Sequence, residues 1–115
     1  MALRPVFVVL GYVLAGLVFV GIGIPLARRS IRPNLWYGFR TPKTLSSPDV
    51  WYAANHVAGI DLIVAGAAIT VCALGLYVLH QTLIPSLSVW KWGLVVFVMA
   101  LVAAAGHSFW YLSRI

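Results

Sequence analysis

Only two of the 115 residues are acidic, Asp49 and Asp61, and Asp61 stands inside an apolar run. An ionised carboxylate at bilayer depth costs roughly 2.5–3.5 kcal/mol on insertion scales unless it is paired, which makes Asp61 a functional candidate by default. Its expected partner is His107, a histidine in another apolar run at similar depth. A hydrogen bond pinning two helices together is the plain reading of that pair. Proton coupling or ligand sensing is the sharper one, because an imidazole changes charge near neutral pH. Arg40, or another arginine of the loop that precedes Asp61, is the alternative partner.

Little else in the chain is equipped for chemistry. There is no serine in a nucleophile elbow, no carboxylate pair and no glycine-rich phosphate loop, so no catalytic residue and no enzyme are expected. The histidines His56, His80 and His107 do not all fall on one side of a membrane and show no ligand spacing. No metal and no cofactor are therefore expected. Cys72 is the single cysteine, which excludes an intramolecular disulfide, and it reads as a packing residue. Arg40, Thr41, Lys43 and Thr44 could hold a phosphate or a lipid headgroup, as basic juxtamembrane loops commonly do.

The elements that must position these residues follow from composition. The chain is 63% hydrophobic and 9% charged, with a mean hydropathy of +1.00, where a soluble domain carries about 25% charged residues. It has room for three spans of about 20 residues and no separate soluble domain. The spans are expected at residues 6–26, 57–79 and 91–112, with a motif loop and interfacial helix start over 28–56. The fold class is an all-α membrane protein, three transmembrane helices with a basic aromatic loop between the first and second, as one domain over 1–115. The first apolar run reads as a retained anchor, since it is too long for a signal peptide and has no good cleavage site.

Ser47-Pro48-Asp49 is a helix-start signal: a hydroxyl to cap free amides, a proline suited to the first position, and an acid against the dipole. The second helix is therefore expected to begin at Pro48, ahead of its apolar part. Small residues form stripes at helical spacing, Ala54, Ala58, Asp61, Ala65, Ala68 and Cys72 on one helix and Ala100, Ala103, Ala104 and His107 on the other. Such stripes let helices approach closely in lipid, and a plain bundle contact accounts for them. Trp90, Trp92, Trp110 and Tyr111 mark the interfaces of the third span.

The net charge of +6 is not a nucleic-acid footprint, because five of the eight Lys/Arg residues (Arg28, Arg29, Arg32, Arg40 and Lys43) lie in one juxtamembrane loop. A bilayer with anionic headgroups is the expected partner, with no nucleic acid. Placing that loop and Arg114 in the cytoplasm leaves Arg4 and Lys91 outside, so the positive-inside rule puts the N-terminus outside and the C-terminus inside.

The loop is also the most distinctive part of the chain. Asn34-Leu35-Trp36-Tyr37-Gly38-Phe39-Arg40-Thr41-Pro42-Lys43-Thr44-Leu45, followed by Trp51 and by Asn55-His56-Val57-Ala58-Gly59, resembles the signature of the SdpI family. With three spans, the chain resembles the family's short stand-alone members. The motif positions carried over are Asn34, Gly38, Arg40, Thr41, Pro42, Thr44, Leu45, Trp51, Asn55 and Gly59. One position departs, because the family pattern has arginine where this chain has His56. Physically, Gly38 permits a tight or left-handed turn, Pro42 holds Thr41 extended, and Trp36, Tyr37, Phe39 and Trp51 would bed the loop in the interface.

The resemblance implies a bacterial cell-membrane protein that confers immunity to a membrane-active killing peptide and signals through its cytoplasmic loop. A toxin peptide and a cytoplasmic regulator would then be partners, with Asn34, Trp36, Gly38, Arg40, Thr41, Pro42, Thr44, Trp51, Asn55 and His56 as the binding set. Asp61 and His107 form the intramembrane polar pair. Two other classes stay open, a small oligomeric proton-coupled transporter using Asp61 and a lipid-binding or assembly subunit. The small-residue faces also admit a homo-oligomer.

Overall fold

A computed structural model describes residues 4–115 and contains, among them, three α-helices and no strand. Helix α1 spans Pro5–Ala27, α2 Pro48–Thr82 and α3 Val89–Arg114. Each is long and apolar enough to cross a membrane. Proline at the first turn opens α1 and α2, where its missing N–H costs nothing. Ser47 caps α2 as its residue type suggests, the hydroxyl accepting from the Val50 amide at 3.2 Å. All three helices run beyond the apolar windows expected from hydropathy, by one residue at each end for α1 and by nine at the start of α2. The extra turns of α2 carry Trp51 and Asn55 and serve the loop, not the bilayer.

Helix α2 is the centre of the molecule and packs against both neighbours, whereas α1 and α3 touch only lightly. The α1–α2 seam is made by glycine. Gly16 and Gly23 face Gly66 and Gly59, and a Cβ added at Gly16, Gly23 or Gly59 would come within 2.5–2.6 Å of a carbonyl oxygen on the opposite helix. Two pairs, each seven residues apart and running antiparallel, bring the backbones together where lipid gives no hydrophobic push. The alanine stripes do less than expected. Ala54, Ala58 and Ala65 are buried and Cys72 is exposed, while Ala68 and Ala103 line an open groove between α2 and α3 beside Asp61.

At the end remote from the loop, α1 and α3 meet through aromatics. Tyr12 donates its hydroxyl to the Trp90 carbonyl at 2.7 Å, and Phe97 lies 6.3 Å from Tyr12 and 5.9 Å from Phe19, ring centre to ring centre. Nearer the loop the two helices separate. The resulting space, about 390 Å³, is walled by Ile22 and Leu26 of α1, Ala58 and Leu62 of α2, and Leu101 to Phe109 of α3.

Candidate functional site

The loop between α1 and α2 is folded by its own polar side chains. It begins where α1 ends in a Schellman turn: the Arg29 amide donates to Leu26 O at 3.1 Å and the Ser30 amide to Pro25 O at 3.1 Å. Arg29 takes the left-handed conformation this turn demands, φ 59°, a place usually given to glycine. Asn34 then organises the next turn. Its Oδ1 accepts from the Trp36 and Tyr37 amides at 2.8 and 2.7 Å, while Nδ2 donates to Arg32 O at 2.7 Å.

Gly38, at φ 118°, lets the chain turn down onto α2. A Cβ there would lie 2.7 Å from Asn55 Oδ1 and 3.2 Å from the Trp51 ring. Asn55 reads the backbone of the next residue like a strand partner. Its Oδ1 accepts from the Phe39 amide at 2.6 Å and its Nδ2 donates to Phe39 O at 3.2 Å and Trp51 O at 3.0 Å. Trp51 is 0% exposed, and its indole N–H donates to Ile31 O at 2.8 Å. It is thus a core residue of the protein and not the interfacial anchor expected from its type. Thr44 is equally buried; its hydroxyl accepts from the Thr41 amide at 2.7 Å and donates to Thr41 O at 3.1 Å.

Three bonds tie the loop and the start of α2 to α1 and α3. Tyr37 donates its hydroxyl to Ile22 O on α1. His56 lies with Nδ1 2.5 Å from Ala27 O, and since a carbonyl only accepts, the ring proton sits on Nδ1. Lys43 reaches α3, its ammonium donating at 2.6 Å to Leu112 O in the last turn, a carbonyl that otherwise accepts only from the Ile115 amide at 3.3 Å. Phe39 closes the same corner, its ring 4.9 Å from that of Phe109 in an edge-on contact. Burial pushes the Tyr37 hydroxyl above its ordinary range.

Arg40 does not pair with Asp61 or Asp49, contrary to the alternative left open by its charge. Its guanidinium turns back to donate to Leu35 O, since the loop's fold aims residue 40 at solvent. Trp36, 88% exposed, and Leu35 stand out from the loop surface, as does Pro42. The binding set expected from sequence therefore divides. Asn34, Gly38, Thr44, Trp51 and Asn55 build the loop and His56 fastens it. Trp36, Arg40 and Pro42 are displayed, and Thr41 lies half-buried between the two groups.

Asp61 lies apart from that loop, on the α2–α3 seam. His107 Nδ1 stands 2.9 Å from both carboxylate oxygens, and Ser108 donates its hydroxyl to Oδ2 at 2.7 Å. The Asp61 side chain is 14% exposed and that of His107 52%. His107 stacks on Trp110, with Arg114 over the other end of the same ring system at 5.4 Å. Serine and histidine both address the aspartate and not each other, so the three do not form the Ser–His–Asp chain of a nucleophilic triad. Ser108 escaped notice in the sequence, although it sits one turn beyond Ala104 and continues the Ala100–Ala104 row. Among the described residues no three His, Cys, Asp or Glu side chains gather as a metal site would need.

Three apolar helices, closed at one end by a loop folded on its own asparagines and threonine, define a multi-pass membrane protein. The chain belongs to the SdpI/YfhL protein family, whose family model matches residues 30–110, well over half of it. No curated protein and no solved structure matches the chain.

Proposed function

We propose that this protein protects a bacterial cell membrane against a membrane-active killing peptide, without enzymatic chemistry, and that its loop relays the encounter to a cytoplasmic regulator. The N-terminus then lies outside, and the loop with Arg114 lies in the cytoplasm, as its excess of Lys and Arg favours. Family membership supports the reading. The observation that carries it is the division of labour in the motif. Asn34, Trp51 and Asn55 are consumed in holding a rigid shape, and among the described residues no buried polar side chain lacks a partner. What the shape presents is Leu35, Trp36, Arg40 and Pro42, a surface suited to recognition.

The test is survival of a sensitive bacterium expressing the chain and challenged with membrane-active killing peptides. Resistance in the wild type that falls in Trp36→Ala and Arg40→Ala, at equal membrane expression, supports the reading. A wild type that confers no resistance to any of the peptides overturns it.

A second reading rests on the Asp61–His107 pair, 2.9 Å apart with the imidazole half-exposed. An embedded carboxylate with a titratable partner is what a small proton-coupled transporter needs. That reading expects Asp61→Asn to abolish proton-driven uptake in vesicles while the fold survives.

A further inference from the structure

The space between α1 and α3 calls for an occupant. Its lining is apolar except for the Ser108 hydroxyl, and that hydroxyl is already donating to Asp61. Water would find almost no partner inside, so a cavity of about 390 Å³ here is filled by something apolar. It lies in the size range of small-ligand pockets, roughly 300–1,000 Å³. Its open side is set by the helices: α2 forms the back, Gly38 and Phe39 the roof, and the gap between α1 and α3 faces the surrounding bilayer.

Charge says which apolar molecule. The two walls of the gap end in cations, α1 at Arg28 and α3 at Leu112, where Lys43 is held by one of its three ammonium protons. Arg29, Arg32 and Arg40 belong to the same loop. Among the described residues the one ion pair is Asp61–His107, so none of these five cations has a protein carboxylate within 4.0 Å. Arg28 follows two residues after the lining Leu26, and Lys43 is bonded three residues past the lining Phe109, so unpaired cations stand next to an apolar cavity, which fits a molecule with an anionic head and a hydrocarbon tail.

We propose that the cavity binds one acyl chain of an anionic phospholipid, with the phosphate held at the mouth between Arg28 and Lys43. The bilayer supplies acyl chains at the depth of the gap, so hydrophobicity alone selects no particular lipid; the basic rim supplies the selection. The site does not depend on the immunity reading. A killing peptide that displaces the lipid would join the two, and a peptide that leaves it in place would keep them separate.

The experiment is native mass spectrometry of the full chain released from bilayers of mixed phosphatidylcholine and phosphatidylglycerol. The wild type is expected to retain one phosphatidylglycerol. Ala105→Phe, which puts a ring into the cavity from α3, is expected to lose it. Val102→Phe, at an exposed position of the same helix that lines neither this cavity nor the α2–α3 groove, serves as the control and is expected to keep it. In Arg28→Gln with Lys43→Gln the preference for the anionic lipid should fall about fivefold per charge removed. Circular dichroism and a monodisperse elution profile establish that each variant is folded. A wild type with no retained lipid, with equal retention of both lipids, or as a lipid-free dimer would overturn the proposal. So would a folded Ala105→Phe that binds as the wild type does.

Discussion

Asn55 makes three hydrogen bonds with one amide group, two to the loop at Phe39 and one to Trp51 on its own helix, and Gly38 is the residue that lets it do so. Gly38→Ala would place a methyl group against the Asn55 oxygen and the Trp51 ring, on a backbone with φ 118° that side-chain-bearing residues avoid. Strain of this kind costs about 1–3 kcal/mol. The expected outcome is a loop that releases from α2, read as faster amide exchange at Phe39 and as Trp51 fluorescence shifted to the red. The Asp61 cluster yields a second residue-scale prediction. Asp61→Asn keeps an oxygen for Ser108 but removes the charge that faces His107. His107→Ala instead leaves a carboxylate with only the serine, a more costly loss because the charge remains. Detergent-titrated unfolding should therefore rank His107→Ala below Asp61→Asn in stability at neutral pH.

At the scale of elements, each helix end and seam has a separate sensitivity. Arg29 occupies a left-handed position at the end of α1, where the cost to a non-glycine residue is roughly 1–2 kcal/mol. Arg29→Gly should therefore raise the unfolding midpoint, and a lowered midpoint would mean that the arginine side chain contributes more than its backbone costs. On the α1–α2 seam, Gly66→Leu should prise the helices apart, while Gly75→Leu, with nothing within 4 Å of its Cβ direction, should leave them in place. Cross-linking between introduced cysteines on α1 and α2 would separate the two outcomes. The spans, the start of α2 at Pro48 and the cap at Ser47 were legible from sequence because each depends on neighbouring residues. The glycine seam was less so. Gly11, Gly21 and Gly75 are chemically identical to the four glycines that pack, and only the matched spacing of seven in α1 and α2 sets those four apart.

Over the whole molecule, α2 acts as a single rod. Its 35 residues run unbroken for about 52 Å at the usual rise, the longest extent of the structure, and it carries the loop at one end and Asp61 further along. The loop is also tied to α1, and there pH provides a test. Burial raises the Tyr37 hydroxyl above 10.0, so the folded state holds that proton more tightly than the unfolded chain does. The stabilisation is complete below about pH 10 and is lost as pH rises through the folded value, because a phenolate cannot donate to Ile22 O. Tyr37→Phe should remove that part of the alkaline loss, seen as a smaller difference between unfolding midpoints at neutral and strongly alkaline pH. What sequence concealed at this scale were the partners. Trp51, Tyr37, His56 and Lys43 stood out as residue types, but each of them bonds to a main-chain carbonyl, which every residue has.

Tyr37 of the loop and His56 of α2 hold α1 through the carbonyls of Ile22 and Ala27, and neither bond involves an α1 side chain. Towards the loop, the first helix is a generic part, addressed by the position of its backbone and not by its spelling. Its exposed apolar letters could be rewritten, provided that Gly16 and Gly23, the Tyr12 and Phe19 that meet α3, and the cavity-lining Ile22 and Leu26 keep their places and the helix ends at the same turn. The matched family region begins at residue 30, just past this helix. A chimaera with another apolar helix grafted before Arg28, carrying those glycines and contact residues, should still close the loop.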